Sequence, residues 1–354
     1  MNTRRLVQAT GVGLIALLCG CNTPQPKPQR WVFFPRSPNE PRIQHLASFC
    51  SDRDFGRDAT FTEYLTGEPP EVVALAKPYG IAIRPGQIRV CDTGLGAIAM
   101  FDLTRKRGRY FAPRGNGKLV VPINLTLDVD GTQYIADTGR NQVLIFDNND
   151  EFIEAIGQKD ELKPTDVAVS TNRLYVTDLK NSQVRVYDKL ERKFLFAIPR
   201  GPVNDTNRLY QPTNIALDDR GNVIVSDTGG FRVQVYDTEG NYVRSIGKQG
   251  TAPGYFARPK GVAVARDGTS YVVDASTQVV QMFDPEGRLL MFFGQPGESE
   301  RGELTLPAAV KVDYDNLDHF RQFVSPDHQL RYLIFVTSQF GAAKVNVYGF
   351  IEKR

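Results

Sequence analysis

Apolar and polar side chains alternate over most of this chain, as in Gln183-Val-Arg-Val-Tyr187 and Arg232-Val-Gln-Val-Tyr236. A period of two is the signature of strands with one face turned inward. Turn pairs separate these stretches at Asp130-Gly131, Asp267-Gly268 and Glu286-Gly287, and such pairs favour tight reversals between antiparallel strands. The pattern repeats at a longer interval. Lys77-Pro-Tyr-Gly-Ile-Ala-Ile83 has counterparts opening at Val121, Lys163, Gln211 and Arg258. Each copy runs on to a strand ending in aspartate: Asp92, Asp137, Asp178, Asp227 and Asp274. Ten residues later comes a second aspartate that follows an aromatic, at Asp102, Asp147, Asp188, Asp237 and Asp284. The first aspartates are 45, 41, 49 and 47 residues apart, so the unit is rigid inside and variable at its connections. A fourth apolar stretch follows, as in Phe152–Gly157, Tyr242–Gly247 and Leu289–Gly294. Four strands at a period in the forties make the blade of a propeller.

A sixth copy starts at Leu306-Pro-Ala-Ala-Val-Lys-Val312, carries an insertion over Asp313–Arg331, and has Ser338 where aspartate is expected. The chain ends after the third strand of this copy. Arg42–Phe49 has the fourth-strand pattern and no blade of its own. The expected fold is therefore all-β: a six-bladed β-propeller of four-stranded antiparallel blades over residues 42–354. Its last blade is completed by the N-terminal strand 42–49, and its blades begin near residues 77, 121, 163, 211, 258 and 306. Closing the ring removes sheet edges that would otherwise pair with other chains. Asp58–Leu75 reads as a polar connection with a short helix at Thr60–Leu65.

The N-terminus places the protein. Arg4-Arg5 precede an apolar run over Leu6–Leu18, then Leu18-Cys19-Gly20-Cys21. A basic head, a short apolar stretch and small residues at the cut form a signal peptide over residues 1–20, and the run is too short to span a bilayer. Leu-x-Gly-Cys resembles the lipobox of bacterial lipoproteins. The resemblance implies that Cys21 is the lipid attachment site and the first mature residue, palmitate being one of the acyl groups. Acyl chains anchor at about 0.8 kcal/mol per buried methylene. Asn22 in place of aspartate implies sorting to the outer membrane, facing the periplasm. An ordinary signal peptide with a chance cysteine is the alternative, and Arg4-Arg5 only weakly resembles a twin-arginine signal. Residues 21–41 carry Pro24, Pro26, Pro28, Pro35, Pro38 and Pro41, a density that favours extended chain, and read as a tether.

Pro-x-Gly-[Ile/Val]-Ala, apolar-x-Asp-Thr and Asn141-Gln-Val-Leu-Ile-Phe-Asp147, with Asn181-Ser-Gln-Val-Arg-Val-Tyr-Asp188, resemble the NHL repeat over about residues 77–350. The resemblance implies the propeller. It leaves function open, because propellers host unrelated activities.

Charge and chemistry narrow the choice. The formal charge is +3, and Arg4 and Arg5 of the leader carry two of those charges, so the mature body is nearly neutral. That gives no field for nucleic acid, and Arg105-Lys-Arg107 with Arg109 reads as a solvated blade edge. The repeated aspartates are expected to cap backbone N–H groups rather than ring a metal. The first strands line the channel, where the small residues Gly80, Gly261 and Ala309 give way to Asn124, Asp166 and Asn214 in three successive blades. With Tyr79 and Lys260 nearby, these form a candidate ligand site at the channel mouth. The alternative is that they bond only to water or backbone. The related amidating lyases hold zinc on channel histidines, but His45, His319 and His328 fall outside the channel strands. Gluconolactonase-like propellers hold a divalent cation on carboxylates, which leaves a cation near Asp166 open. No catalytic residue is assigned, since there is no Gly-x-Ser-x-Gly elbow. Cys50 and Cys91 can form a disulfide in an oxidising compartment, or Cys91 is simply a small buried residue. The expected function is a non-catalytic binding or scaffold module for a protein, peptide or glycan partner, acting at the mouth and at the Asp313–Arg331 insertion. The alternative is a metal-dependent lactonase- or lyase-like enzyme.

Overall fold

The computed structural model describes residues 31–56, 65, 71–158 and 160–354. The signal peptide, Cys21, the tether up to residue 30 and all but the last residue of the helix expected at Thr60–Leu65 lie outside the described residues.

Six antiparallel sheets form the blades, the first five ordered from inner to outer strand along the chain. The inner strands are Pro78–Arg84, Pro122–Leu127, Pro164–Val169, Pro212–Leu217, Pro259–Val264 and Pro307–Asp313. Each touches the next, and the sixth touches the first, so the ring is closed. This is the expected six-bladed propeller. Ile43–Phe49 completes the last blade by pairing with Val345–Lys353, from Ile43 opposite Phe350 to Phe49 opposite Val345. Val32–Phe34, inside the stretch read as tether, adds a fifth strand there with Val32 opposite His45. Phe34 is buried against Phe293 and Tyr348, with ring centroids 6.3 Å from each. Prolines on both sides hide this three-residue strand from a periodicity reading, and proline is tolerated on an edge strand because its missing N–H faces solvent.

The core lies between blades. The aromatic before each second aspartate, Phe101, Phe146, Tyr187, Tyr236 or Phe283, is buried there. Phe146 meets Phe111 and Phe152 edge-on, with centroids 5.0 and 5.7 Å away. Burying such a ring stabilises by roughly 1.5–3 kcal/mol.

The aspartate closing each second strand is a cap, as expected. Asp92 accepts Ala76 N–H at 2.6 Å, Lys77 N–H at 3.0 Å, Gly94 N–H at 3.0 Å and Leu95 N–H at 3.1 Å. Asp137 holds the same four positions in the second blade. One carboxylate thus fixes both the loop into a blade and the turn between its second and third strands. In the sixth blade the Ser338 hydroxyl accepts one N–H among the described residues, that of Thr305 at 3.3 Å. Hydrogen bonds to a charged acceptor contribute about 1.5–3 kcal/mol each.

Every inner strand runs the same way, so the molecule has a mouth face, carrying these caps, and a far face. The sixth-blade insertion leaves the end of its inner strand and lies on the far face. There Asn316 accepts Gly86 N–H at 2.7 Å and donates to Arg84 O at 3.2 Å, clasping the first blade. Gln44 of the closing strand donates to Phe323 O at 2.8 Å and accepts Ser325 N–H at 3.0 Å. The insertion is a clasp across the closure, and it sits at the opposite end of the channel from the mouth residues.

Candidate functional site at the channel mouth

The inner strands approach so closely that side chains are selected by space. A Cβ at Gly80 would lie 2.4 Å from Asn124 Oδ1 and 2.5 Å from Asn124 Cα, and one at Gly261 would lie 2.5 Å from Ala309 Cα. The glycines are therefore required by backbone contact between neighbouring blades.

The three polar residues of blades two to four bond across to neighbouring blades, although Asn214 Oδ1 is buried without a partner among the described residues. Asn124 Nδ2 donates to Thr165 O of the third blade at 2.8 Å. Asp166 Oδ2 accepts Ile215 N–H at 3.1 Å and Asn214 Nδ2–H at 3.3 Å from the fourth blade, while Oδ1 accepts Val167 N–H at 2.8 Å. Hydroxyls continue the string: Thr165 donates to Pro212 O at 3.1 Å, Thr228 to Pro259 O at 2.6 Å and Thr337 to Tyr79 O at 2.6 Å. Burial lifts the Asp166 carboxyl to about 6, against the opposing pull of the Lys311 charge and of the N–H groups it accepts. Asn124, Asp166 and Asn214 thus join blades to one another.

The other side of the channel differs. Tyr79 is buried and Lys260 half-buried. Burial raises the Tyr79 phenol, with the Asp166 charge adding to it, and burial beside Arg258 lowers the Lys260 ammonium to about 8. Lys311, two residues beyond Ala309, also bears on the channel, since its charge acts on Asp166. Sequence reasoning did not single out Lys311. The signal was present: the other five copies have Ala82, Thr126, Ala168, Ala216 and Ala263 at that position.

Around the mouth the loops expose Leu95, Val120, Tyr210, Tyr255 and Phe340, of which Tyr210 is 42% and Phe340 49% accessible. Cations lie over three of these rings. Lys77 is 5.7 Å from the Phe340 centroid, Arg208 is 5.3 Å and Arg232 5.9 Å from that of Tyr210, and Lys248 is 4.5 Å from that of Tyr255.

Among the described residues no three His, Cys, Asp or Glu side chains converge as metal ligands do. His45 is buried in the sixth blade, 3.2 Å from Asn346 Oδ1 and edge-on to Tyr348; burial, with the Arg301 charge, lowers it to about 4. Cys50 and Cys91 are free thiols, so the disulfide considered from the sequence is not formed. Cys91 is the small buried residue of the other reading, packed with Ala82, Ile98 and Leu125 between the first two blades.

The fold and this inner ring define a six-bladed β-propeller. Residues 162–187 and 209–236, in blades three and four, match the NHL repeat. Over 134 residues the chain is 29% identical to protein brain tumor of Drosophila melanogaster, a match covering 37% of this chain and 12% of that protein. Among solved structures, an auxiliary nutrient binding protein from Bacteroides thetaiotaomicron superposes with a TM-score of 0.58 at 12% identity, covering 79% of this chain and 70% of that one. A streptogramin B lyase superposes with a TM-score of 0.54 at 14% identity, covering 78% and 84%. These likenesses are of fold, and a binder and a lyase share it.

Proposed function

We propose that this chain is a binding module that holds a protein partner on the mouth face of its propeller, displayed outside the cytoplasm from a lipid anchor at Cys21. The observation that carries the reading is the rim. Tyr210, Tyr255 and Phe340 stand exposed in the mouth loops, each with a lysine or arginine over its ring. Tyrosine and arginine are residue types enriched at the centres of protein interfaces, and Leu95 and Val120 stand exposed on the same face. The far face is taken up at the closure by the insertion clasp. Leu18-Cys19-Gly20-Cys21 supports the anchor, and Asn22 supports the outer membrane as its destination.

A photo-crosslinking residue at position 210 or 340 of the full chain, expressed in its own cells, tests the surface. A discrete protein adduct from both positions, and none from position 194 on the outer edge of the third blade, is expected. Adducts from position 194 alone would overturn the assignment. Labelling with an alkynyl palmitate, lost in Cys21→Ser, tests the anchor.

A further inference from the structure

The third blade leaves an opening on the mouth face that blades two, four and five close. In those three the outer strand is followed by a glycine in the left-handed region, Gly157 at φ 104°, Gly247 at φ 73° and Gly294 at φ 79°. The returning loop lays a buried side chain against it: a Cβ there would lie 2.8 Å from Leu162, 2.4 Å from Phe256 and 2.6 Å from Leu304. The third blade has Pro199 at this position. Proline holds φ at about −65° and cannot take that conformation. The loop to the fourth blade runs exposed through residues 200–206 before Leu209 returns to the core. A cavity of about 380 Å³ lies under it, with Gln183, Ile198, Pro199, Val203, Arg208 and Tyr210 among its walls.

Its walls are fixed before any ligand arrives. Ser182 Oγ donates to Tyr210 O at 2.8 Å, and from the fourth blade Tyr236 donates to Asn207 O at 2.6 Å and Gln234 to Thr206 O at 2.8 Å. Asp227, the cap of the fourth blade, accepts the Tyr210 and Gln211 N–H groups at 2.9 and 2.8 Å, which sets the cavity on the mouth face beside the exposed Tyr210 ring. One amide in the wall is left over. In blade two Gln142 donates to Gly157 O at 3.0 Å and accepts Arg140 Nε–H at 2.9 Å. Gln183, at the same position of blade three, makes no hydrogen bond among the described residues. Arg208 is the one charged residue of the wall, and its guanidinium is 3.5 Å from Asp205 and 5.3 Å from the Tyr210 centroid.

We propose that this cavity is the anchor pocket of the docking face and takes one aromatic side chain with a polar edge, a tyrosine or a tryptophan, from the partner protein. The inference rests on the mouth-face reading and names what that face grips. The volume is within the range of sites that enclose a ligand group, and Ile198, Pro199, Val203 and Leu209 suit an apolar body. An aliphatic side chain would strip water from the Gln183 amide and leave it without a partner. A charged side chain would lose its hydration against apolar walls whose one cation already has Asp205. A tyrosine O–H or tryptophan N–H meets the amide while its ring lies along the apolar wall beside Tyr210.

Fluorine NMR of ring-fluorinated N-acetyltryptophanamide and N-acetyltyrosinamide with the full chain reads the pocket without a partner. A saturable shift is expected, lost in Val203→Trp, whose added ring fills the cavity from an exposed position, and about tenfold weaker in Gln183→Leu, with N-acetylleucinamide displacing the probe only at about tenfold higher concentration. No saturable shift with either probe, a shift unchanged in both variants, or equal competition by the leucine amide would overturn the pocket. Crosslinking in cells from position 340, in the sixth blade and away from the cavity, reads the docking face separately. The adduct is expected in the wild type and expected to disappear in Val203→Trp. An adduct that persists in Val203→Trp rejects the pocket and keeps the face. The absence of an adduct in the wild type rejects the face, and with it the pocket's role as its anchor.

Discussion

The two sides of the channel are built from the same repeat and do different work. Across blades two to four, Asn124, Asp166 and Asn214 reach sideways, and their bonds join one blade to the next. Across blades five, six and one, glycine or alanine occupies the same position, the backbones touch directly, and Lys260 and Lys311 nearby make no hydrogen bond or ion pair among the described residues. A polar residue in a propeller channel is thus not by itself a ligand contact. What marks Asn124, Asp166 and Asn214 as staples is that each bonds across to a group of a neighbouring blade.

The contrast can be broken at Asp166. Asp166→Ala removes the acceptor of three donors and leaves Ile215 N–H and the Asn214 amide buried without a partner. Urea unfolding is expected to show a loss of about 3 kcal/mol, the scale for a broken buried network. The contact glycines come next. Gly80→Ala drives a methyl into Asn124 and is expected to cost about 1–3 kcal/mol by overpacking, whereas Ala309→Gly is expected to cost under about 1 kcal/mol. Comparable losses for Asp166→Ala and Lys260→Met would erase the distinction between the two sides.

The pH dependence sharpens it. The folded-state pKa of Asp166, about 6, stands above its ordinary 3.8, so between those values the folded chain binds the extra proton. Its contribution to stability is fully present below pH 4 and is lost as pH rises through 6. Relative to Asp166→Asn, the wild type is expected to lose up to about 3 kcal/mol across that window, read as unfolding midpoints at matched salt. A difference that is flat with pH would show that the carboxyl is not buried as described. Chelation is the smallest expected effect. With Asn124, Asp166 and Asn214 bonded to one another and to backbone, EDTA is expected to leave the midpoint of the wild type unchanged. A drop restored by Ca²⁺ and abolished by Asp166→Ala would instead favour the metal-dependent reading.

Much of this was legible in the sequence, for physical reasons. The ten-residue interval between aspartates is set by a capped turn and a strand of fixed length, so it survives in five copies and marks the blades. The closing strand could be found because Arg42–Phe49 has strand periodicity and no blade of its own. The positions facing the channel could be found as well, since the repeat aligns them. What the sequence could not show is where Asn124 and Asp166 donate and accept across blades, because Thr165 O, Ile215 N–H and the Asn214 amide belong to the next blade, more than forty residues away. Val32–Phe34 was hidden by its flanking prolines. The free cysteines Cys50 and Cys91 were undecided because spacing says nothing of which face each side chain takes.

The most direct test of the account is the unfolding free energy of the Lys260→Met Lys311→Met double variant. Lys260 stands beside the like charge of Arg258 while Lys311 attracts Asp166, so the account predicts stability within about 1 kcal/mol of the wild type. A loss of more than about 1 kcal/mol would contradict it, because the lysines would then belong to the structural ring.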